Sequence, residues 1–145
     1  MESAEDRIRL RWNVLKNAWE QNLWNGGGVG VIAKLMGLKT ISPTDLMKVI
    51  REGQVVCYDV NSYESWKHAH VPGALHLDPM AYSESELPAD RNTPLVFYCS
   101  NLFCRKAPNA ARRAIEMGFR NVRVMSAGLS GWLAGGHPTE AGAAI

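Results

Sequence analysis

One stretch constrains this chain more than any other: Leu95, Val96, Phe97, Tyr98 and Cys99, then Ser100, Asn101, Leu102, Phe103, Cys104, Arg105 and Lys106. Val96, Phe97 and Tyr98 make a short apolar run without polar alternation, the pattern of a parallel strand buried on both faces. From Lys106 onward, Ala107, Ala110, Ala111, Ala114, Ile115 and Met117 mark one face of a helix, and Gly118 stands at its C′ position. The stretch therefore reads as strand, tight loop and helix start. In parallel α/β folds, ligands bind where strands hand over to helices. Cys99 occupies that handover.

The chemistry favoured there is thiolate chemistry. A helix N-terminus carries about half a positive charge and several unpaired N–H groups, and Arg105 and Lys106 add to the same field. A thiol with an ordinary pKa of about 8.5 is expected to fall by one or more units in such a place. Cys99 is the candidate nucleophile on this reading. The bland alternative is a small buried hydrophobe at a strand end, and position alone leaves both open.

The 145 residues suit one domain with a full core. A net charge of +2 with scattered basic residues implies no nucleic-acid partner. No apolar run approaches the roughly 18 residues of a membrane span. The acidic opening from Met1 to Asp6 resembles no signal peptide, and three cysteines form no disulfide framework, so a reducing cytoplasm is the expected setting.

Residues 3 to 24 read as an amphipathic helix. Ile8, Leu10, Trp12, Leu15, Trp19, Leu23 and Trp24 form its apolar side, and Arg7, Arg9, Arg11, Lys16 and Glu20 its charged one, with Ser3 as N-cap. That tryptophan face is expected to dock on the domain or on a second copy, as in a homodimer. Asn25 and the glycines up to Gly28 end the helix. Gly28, Gly30 and Ala33 match a dinucleotide fingerprint only on paper, because a helix and a turn precede them instead of a strand. The expected organisation is a helix and glycine-rich hinge over 1–38, a domain over 39–140 and a tail over 141–145.

Within the domain, Ser42 followed by Pro43 is a helix start, and Leu46, Val49 and Ile50 space a helix that Gly53 closes. Gln54 to Val60 reads as a buried strand, with Cys57 in the core. Ser62 caps a short helix over Glu64 to His68, and the turn through Pro72 leads to a strand at Leu75 to Leu77. A polar loop follows to Asn92. Val122 to Met125 is a further strand, and Gly128 to Gly135 a last short helix. Alternating strands and helices predict a parallel sheet covered on both faces.

Two separate stretches resemble one family. Asp59, Val60, Tyr63, Glu64 and Trp66, then His70, Val71, Pro72, Gly73 and Ala74, are similar to the first signature of the rhodanese-like sulfurtransferases. Ala127, Gly128, Gly131 and Trp132, followed by Gly135, Gly136, His137 and Pro138, resemble the closing segment, and Cys99 falls where that family keeps its nucleophile. The resemblance covers about 40–139. It implies a three-layer α/β sandwich and sulfane-sulfur transfer through a persulfide on Cys99, from an anionic donor such as thiosulfate to a thiol or cyanide.

The departures are informative. Asn61 stands where the family has Arg, Trp66 replaces Tyr and Ala69 replaces Gly. Single-domain sulfurtransferases commonly have a loop glycine and an Arg five positions after Cys, whereas Arg105 lies six after Cys99 with no glycine between. That length resembles the phosphatase and arsenate-reductase branch, where such a loop cradles a tetrahedral oxyanion. The amides from Ser100 to Lys106 and the Arg105 guanidinium are thus a candidate anion site. Phosphate-ester cleavage needs a proton for its leaving group. Leu102 and Phe103 give an apolar rim better suited to soft sulfur, so sulfur transfer is the leading expectation. A phosphatase, an arsenate reductase and a non-catalytic binding module are the alternatives.

Cys104 could curl back to form a disulfide with Cys99 or simply pack under the helix start. No cofactor or metal is called for, since this spacing fits no zinc knuckle. Asp59 is expected to support the loop by hydrogen bonds or by pairing with Arg105, and His70 and His76 to fix the Pro72 turn.

Overall fold

The computed structural model describes residues 36–142. The expected N-terminal helix and glycine hinge, and most of the tail, lie outside them. The strands are β1 (Lys39–Thr40), β2 (Val56–Asp59), β3 (Leu75–His76), β4 (Leu95–Tyr98) and β5 (Val122–Val124). The helices are α1 (Pro43–Arg51), α2 (Tyr63–His68), α3 (Lys106–Glu116) and α4 (Gly128–Ala134), with a 3-10 turn at Glu84–Glu86. All five strands run parallel in the order β1-β5-β4-β2-β3. The Cys99 strand is therefore central.

Local chemistry sets the element ends. The Ser42 hydroxyl accepts the Asp45 N–H at 3.1 Å with Pro43 at the first helical position, and Ser62 accepts the Ser65 N–H at 3.2 Å. Gly53 and Gly118 take positive φ just beyond α1 and α3. Pro108 sits in the first turn of α3, where an N–H would have no intrahelical partner to lose.

Period-two alternation along the strands divides the core into two layers. Tyr58, Leu95, Phe97 and Cys99 point to one face, where they pack with Ala107, Ala110, Ala111 and Ala114 of α3. Cys57, Val96 and Tyr98 point to the other, where Leu46 of α1 and Trp132 of α4 close over them. The small alanine face lets α3 lie close on the sheet, which brings its N-terminus over the end of β4. This is the expected sandwich. The edge strand β1 is an addition that the polar pair Lys39–Thr40 does not announce. Among the described residues no helix is long and apolar enough to cross a membrane.

Candidate active site

Cys99 follows β4 directly and is 3% exposed. The chain beyond it curls tightly: the Cys104 N–H donates to the Asn101 carbonyl at 3.3 Å and the Phe103 N–H to Asn101 Oδ1 at 3.0 Å. From the other side, α4 holds the loop. Its Leu129 and Ser130 N–H groups donate to the Cys99 and Ser100 carbonyls, each at 2.9 Å. Two amides of the expected anion cradle, those of Phe103 and Cys104, are spent on Asn101 within the loop and do not face an anion. The Ser100 and Ala107 N–H groups reach the Cys99 sulfur, and the Ser100 and Lys106 N–H groups reach the Cys104 sulfur.

The approach of α4 depends on one glycine. Gly128 has φ +65°, and a Cβ there would lie 2.6 Å from the Ser100 carbonyl carbon and the Asn101 nitrogen. No side chain fits between loop and helix.

Cys99, Asn101, Leu102 and Cys104 line a small hollow with Ala107, Pro108, Val124, Met125 and Ser126. Its volume is about 10 Å³, at which one water-sized particle just fits. Ser100, Phe103, Arg105 and Lys106 do not line it, and all four are exposed to solvent. Phe103 is 79% exposed at the loop tip.

The two thiols interact. Cys99 Sγ lies 3.6 Å from the Cys104 carbonyl oxygen as donor, and the side chains also hydrogen-bond each other. Here the structure corrects the sequence expectation. Burial pushes the Cys99 thiol up to about 12, the hydrogen bond with Cys104 pushes the same way, and the Ala107 amide only partly offsets them. Burial also raises Cys104, but the Cys99 thiol, the Lys106 and Ser100 amides and the Lys106 charge together hold it below the usual thiol value. The two thiols titrate as a pair, of which Cys99 is the more buried and more firmly protonated member.

Asp59 is fully buried. Tyr98 Oη donates to its Oδ2 at 2.7 Å and the Asn61 N–H to its Oδ1 at 2.8 Å, while Tyr98 Oη accepts the Val71 N–H at 3.0 Å. Burial raises the Asp59 carboxyl and these hydrogen bonds partly counter it. Asn61 carries the support onward, since Ser100 Oγ donates to its Oδ1 at 2.7 Å. Asp59 therefore reaches the loop through Asn61, and no ion pair with Arg105 is among the described contacts. His70 lies elsewhere. Its ring stacks on Trp66 at 4.5 Å, its Nδ1 is 2.6 Å from the Trp66 carbonyl, and its backbone pairs with Glu140. His76 Nε2 meets the Asn61 carbonyl at 2.9 Å, so it too steadies Asn61.

Sequence reasoning did not single out Ser126. It is 8% exposed, lines the hollow, and has an Oγ without a hydrogen-bond partner, as has Asn61 Nδ2. A buried hydroxyl left unpaired costs on the order of 1–3 kcal/mol. A polar atom entering the hollow would recover that cost. The one sequence signal for Ser126 is a polar residue interrupting the apolar run after β5.

A parallel sheet with a buried cysteine at the end of its central strand, ringed by loop and helix amides, defines a thiol-centred α/β domain. Residues 42–135 match the rhodanese-like domain. The chain belongs to that family. It is similar to the HTH-type transcriptional regulator Rv0324 of Mycobacterium tuberculosis, 32% identical over 107 residues, which are 72% of this chain and 46% of that protein. The chain thus spans about half the length of that relative. It is also similar to the thiosulfate sulfurtransferase GlpE of Coxiella burnetii, 29% identical over 105 residues, 72% of this chain and 95% of that one. Among solved structures, the BH2092 protein of Bacillus halodurans shares the fold with a TM-score of 0.66 at 20% identity, covering 89% of this chain and 85% of its own.

Proposed function

We propose that this chain is a sulfurtransferase that accepts a sulfane sulfur on Cys99 from an anionic donor such as thiosulfate and passes it to a thiol or cyanide. The observation that carries the reading is the hollow over Cys99: small, at about 10 Å³, and walled mostly by Leu102, Ala107, Pro108, Val124 and Met125, it suits a single soft sulfur atom. Cys99 gives up its proton to water, the freed thiolate attacks the outer sulfur of thiosulfate, and sulfite leaves with the S–S bonding pair. The Ser100 and Ala107 amides then face the new persulfide, and the Ser126 hydroxyl offers it a further donor. Arg105 and Lys106, both exposed, draw the anion in.

Support also comes from the similarity to a thiosulfate sulfurtransferase along nearly its whole length. A phosphatase would need an acid for its leaving group, and no carboxylic acid lines the hollow. Parallel assays with thiosulfate plus cyanide, an aryl phosphate, and arsenate plus a thiol test the reading. Thiocyanate formation well above the other two activities is expected. Dominant phosphate release or arsenite formation would refute it.

A further inference from the structure

The proposed transfer leaves one reactive group unused once the persulfide has formed, namely Cys104. A sulfur in that position has no need to be a thiol for packing alone, because Cys104 is only half-buried against the core layer that contains Cys99. The turn from Asn101 to Cys104 folds it back so that both sulfurs line the same hollow, where the Ser100 N–H serves both, Ala107 adds a second N–H to Cys99 and Lys106 a second to Cys104. An outer persulfide sulfur would sit in that hollow with Cys104 beside the inner one. Thiol–disulfide exchange requires this kind of access for one sulfur to attack an S–S bond.

We propose that Cys104 resolves the Cys99 persulfide from within the loop and releases its sulfur as hydrosulfide, which makes the chain a dithiol-dependent sulfane-sulfur reductase. The step rests on the sulfur-transfer reading above. The Cys104 proton passes to the outer sulfur, and the Cys104 thiolate attacks Cys99 Sγ. The bond from Cys99 Sγ to the outer sulfur breaks, its electron pair leaving with that sulfur as HS⁻, and a Cys99–Cys104 disulfide forms. Two cysteine sulfurs are oxidised by one electron each, and the sulfane sulfur is reduced by two. An external dithiol then reduces the disulfide, becomes a disulfide itself, and returns both thiols for the next turn. The amides that hold charge on Cys104 favour its role as attacker. Leu102 and Met125 beside the hollow limit access by bulky acceptors and so favour the internal partner.

The test uses the full chain, reduced, freed of reductant and treated with thiosulfate without air or added acceptor. Sulfite, hydrosulfide and intact mass are followed, with peptide mapping. Wild type and a Cys57→Ser control should release sulfite and hydrosulfide in equal amounts and lose two hydrogens to a Cys99–Cys104 crosslink. Cys104→Ser and Cys104→Ala should release sulfite but retain one added sulfur on Cys99, with hydrosulfide lower by about tenfold or more until dithiothreitol is supplied. Sulfite release with a persulfide equally persistent in wild type and both variants would overturn the inference alone. A persulfide found on Cys104 would overturn it too, since attack would then fall on the outer sulfur. Absence of sulfite from every protein would overturn the transfer reading and this step with it.

Discussion

Replacing Gly128 by alanine should damage the loop from a position that touches no substrate. Two costs add. A non-glycine residue at φ +65° pays about 1–2 kcal/mol for the left-handed conformation. The added Cβ would also lie 2.6 Å from backbone atoms of Ser100 and Asn101, which cannot swing aside as a side-chain tip can. Overpacking of this kind costs about 1–3 kcal/mol. The expected destabilisation is therefore about 2–5 kcal/mol, part of it avoidable only if α4 and the loop separate. Separation would lengthen the bonds from Leu129 and Ser130 to the Cys99 and Ser100 carbonyls, now 2.9 Å each. The Ser100 amide would then lose its aim at the two sulfurs. Urea unfolding should show a lower midpoint with an unchanged slope, and sulfur transfer should fall by about tenfold or more, as misplacement by an ångström can cause. A variant within about 0.5 kcal/mol of wild type and equally active would refute the claim that α4 sets the loop.

Four further outcomes follow from the same geometry. Tyr98→Phe leaves the Asp59 carboxylate and the Val71 N–H each short of a buried partner, so a loss of about 1–3 kcal/mol is expected in denaturant titration. Because the folded-state pKa of Asp59 is raised, its ionisation opposes folding. Its contribution should fade as pH rises from the ordinary aspartate value of about 3.9 toward its raised folded value, and Asp59→Asn should flatten that part of the stability profile. Burial chiefly holds the Cys99 thiol up and Cys104 adds to it, so Cys104→Ser should lower the pKa for Cys99 alkylation in part, and its iodoacetamide rate at neutral pH should rise. Arg105 is exposed next to Cys104, so Arg105→Ala should raise the KM for thiosulfate by about threefold with little change in kcat, an effect that added salt should shrink.

Much of the fold is legible in the sequence because its signals are local. Ser42 with Pro43, Ser62, Gly53 and Gly118 mark ends by chemistry that needs no tertiary partner, and the run from Val96 to Tyr98 marks its own burial. The central position of Cys99 follows from that run. What could not be read depends on groups brought together from far along the chain. Asn61 serves Asp59, His76 and Ser100 at once, and Ser126 enters the hollow only because β5 lies beside β4. The direction of the Cys99 shift was misread for a related reason. The helix-end field lowers a thiol's pKa, but burial and a neighbouring thiol outweigh it here, and neither is visible in spacing. Lys39–Thr40 pairs as an edge strand through backbone bonds to β5, which its side chains do not encode.

The central claim is that Cys99 carries the sulfur, and isotopic labelling tests it most directly. Thiosulfate labelled in its outer sulfur would be mixed with cyanide and either wild type or Cys99→Ser, and thiocyanate would be assayed for the label. Cyanide intercepts the persulfide as it forms. Labelled thiocyanate from wild type, with none above background from a folded Cys99→Ser, is the predicted result. Equal labelled thiocyanate from both proteins would contradict it.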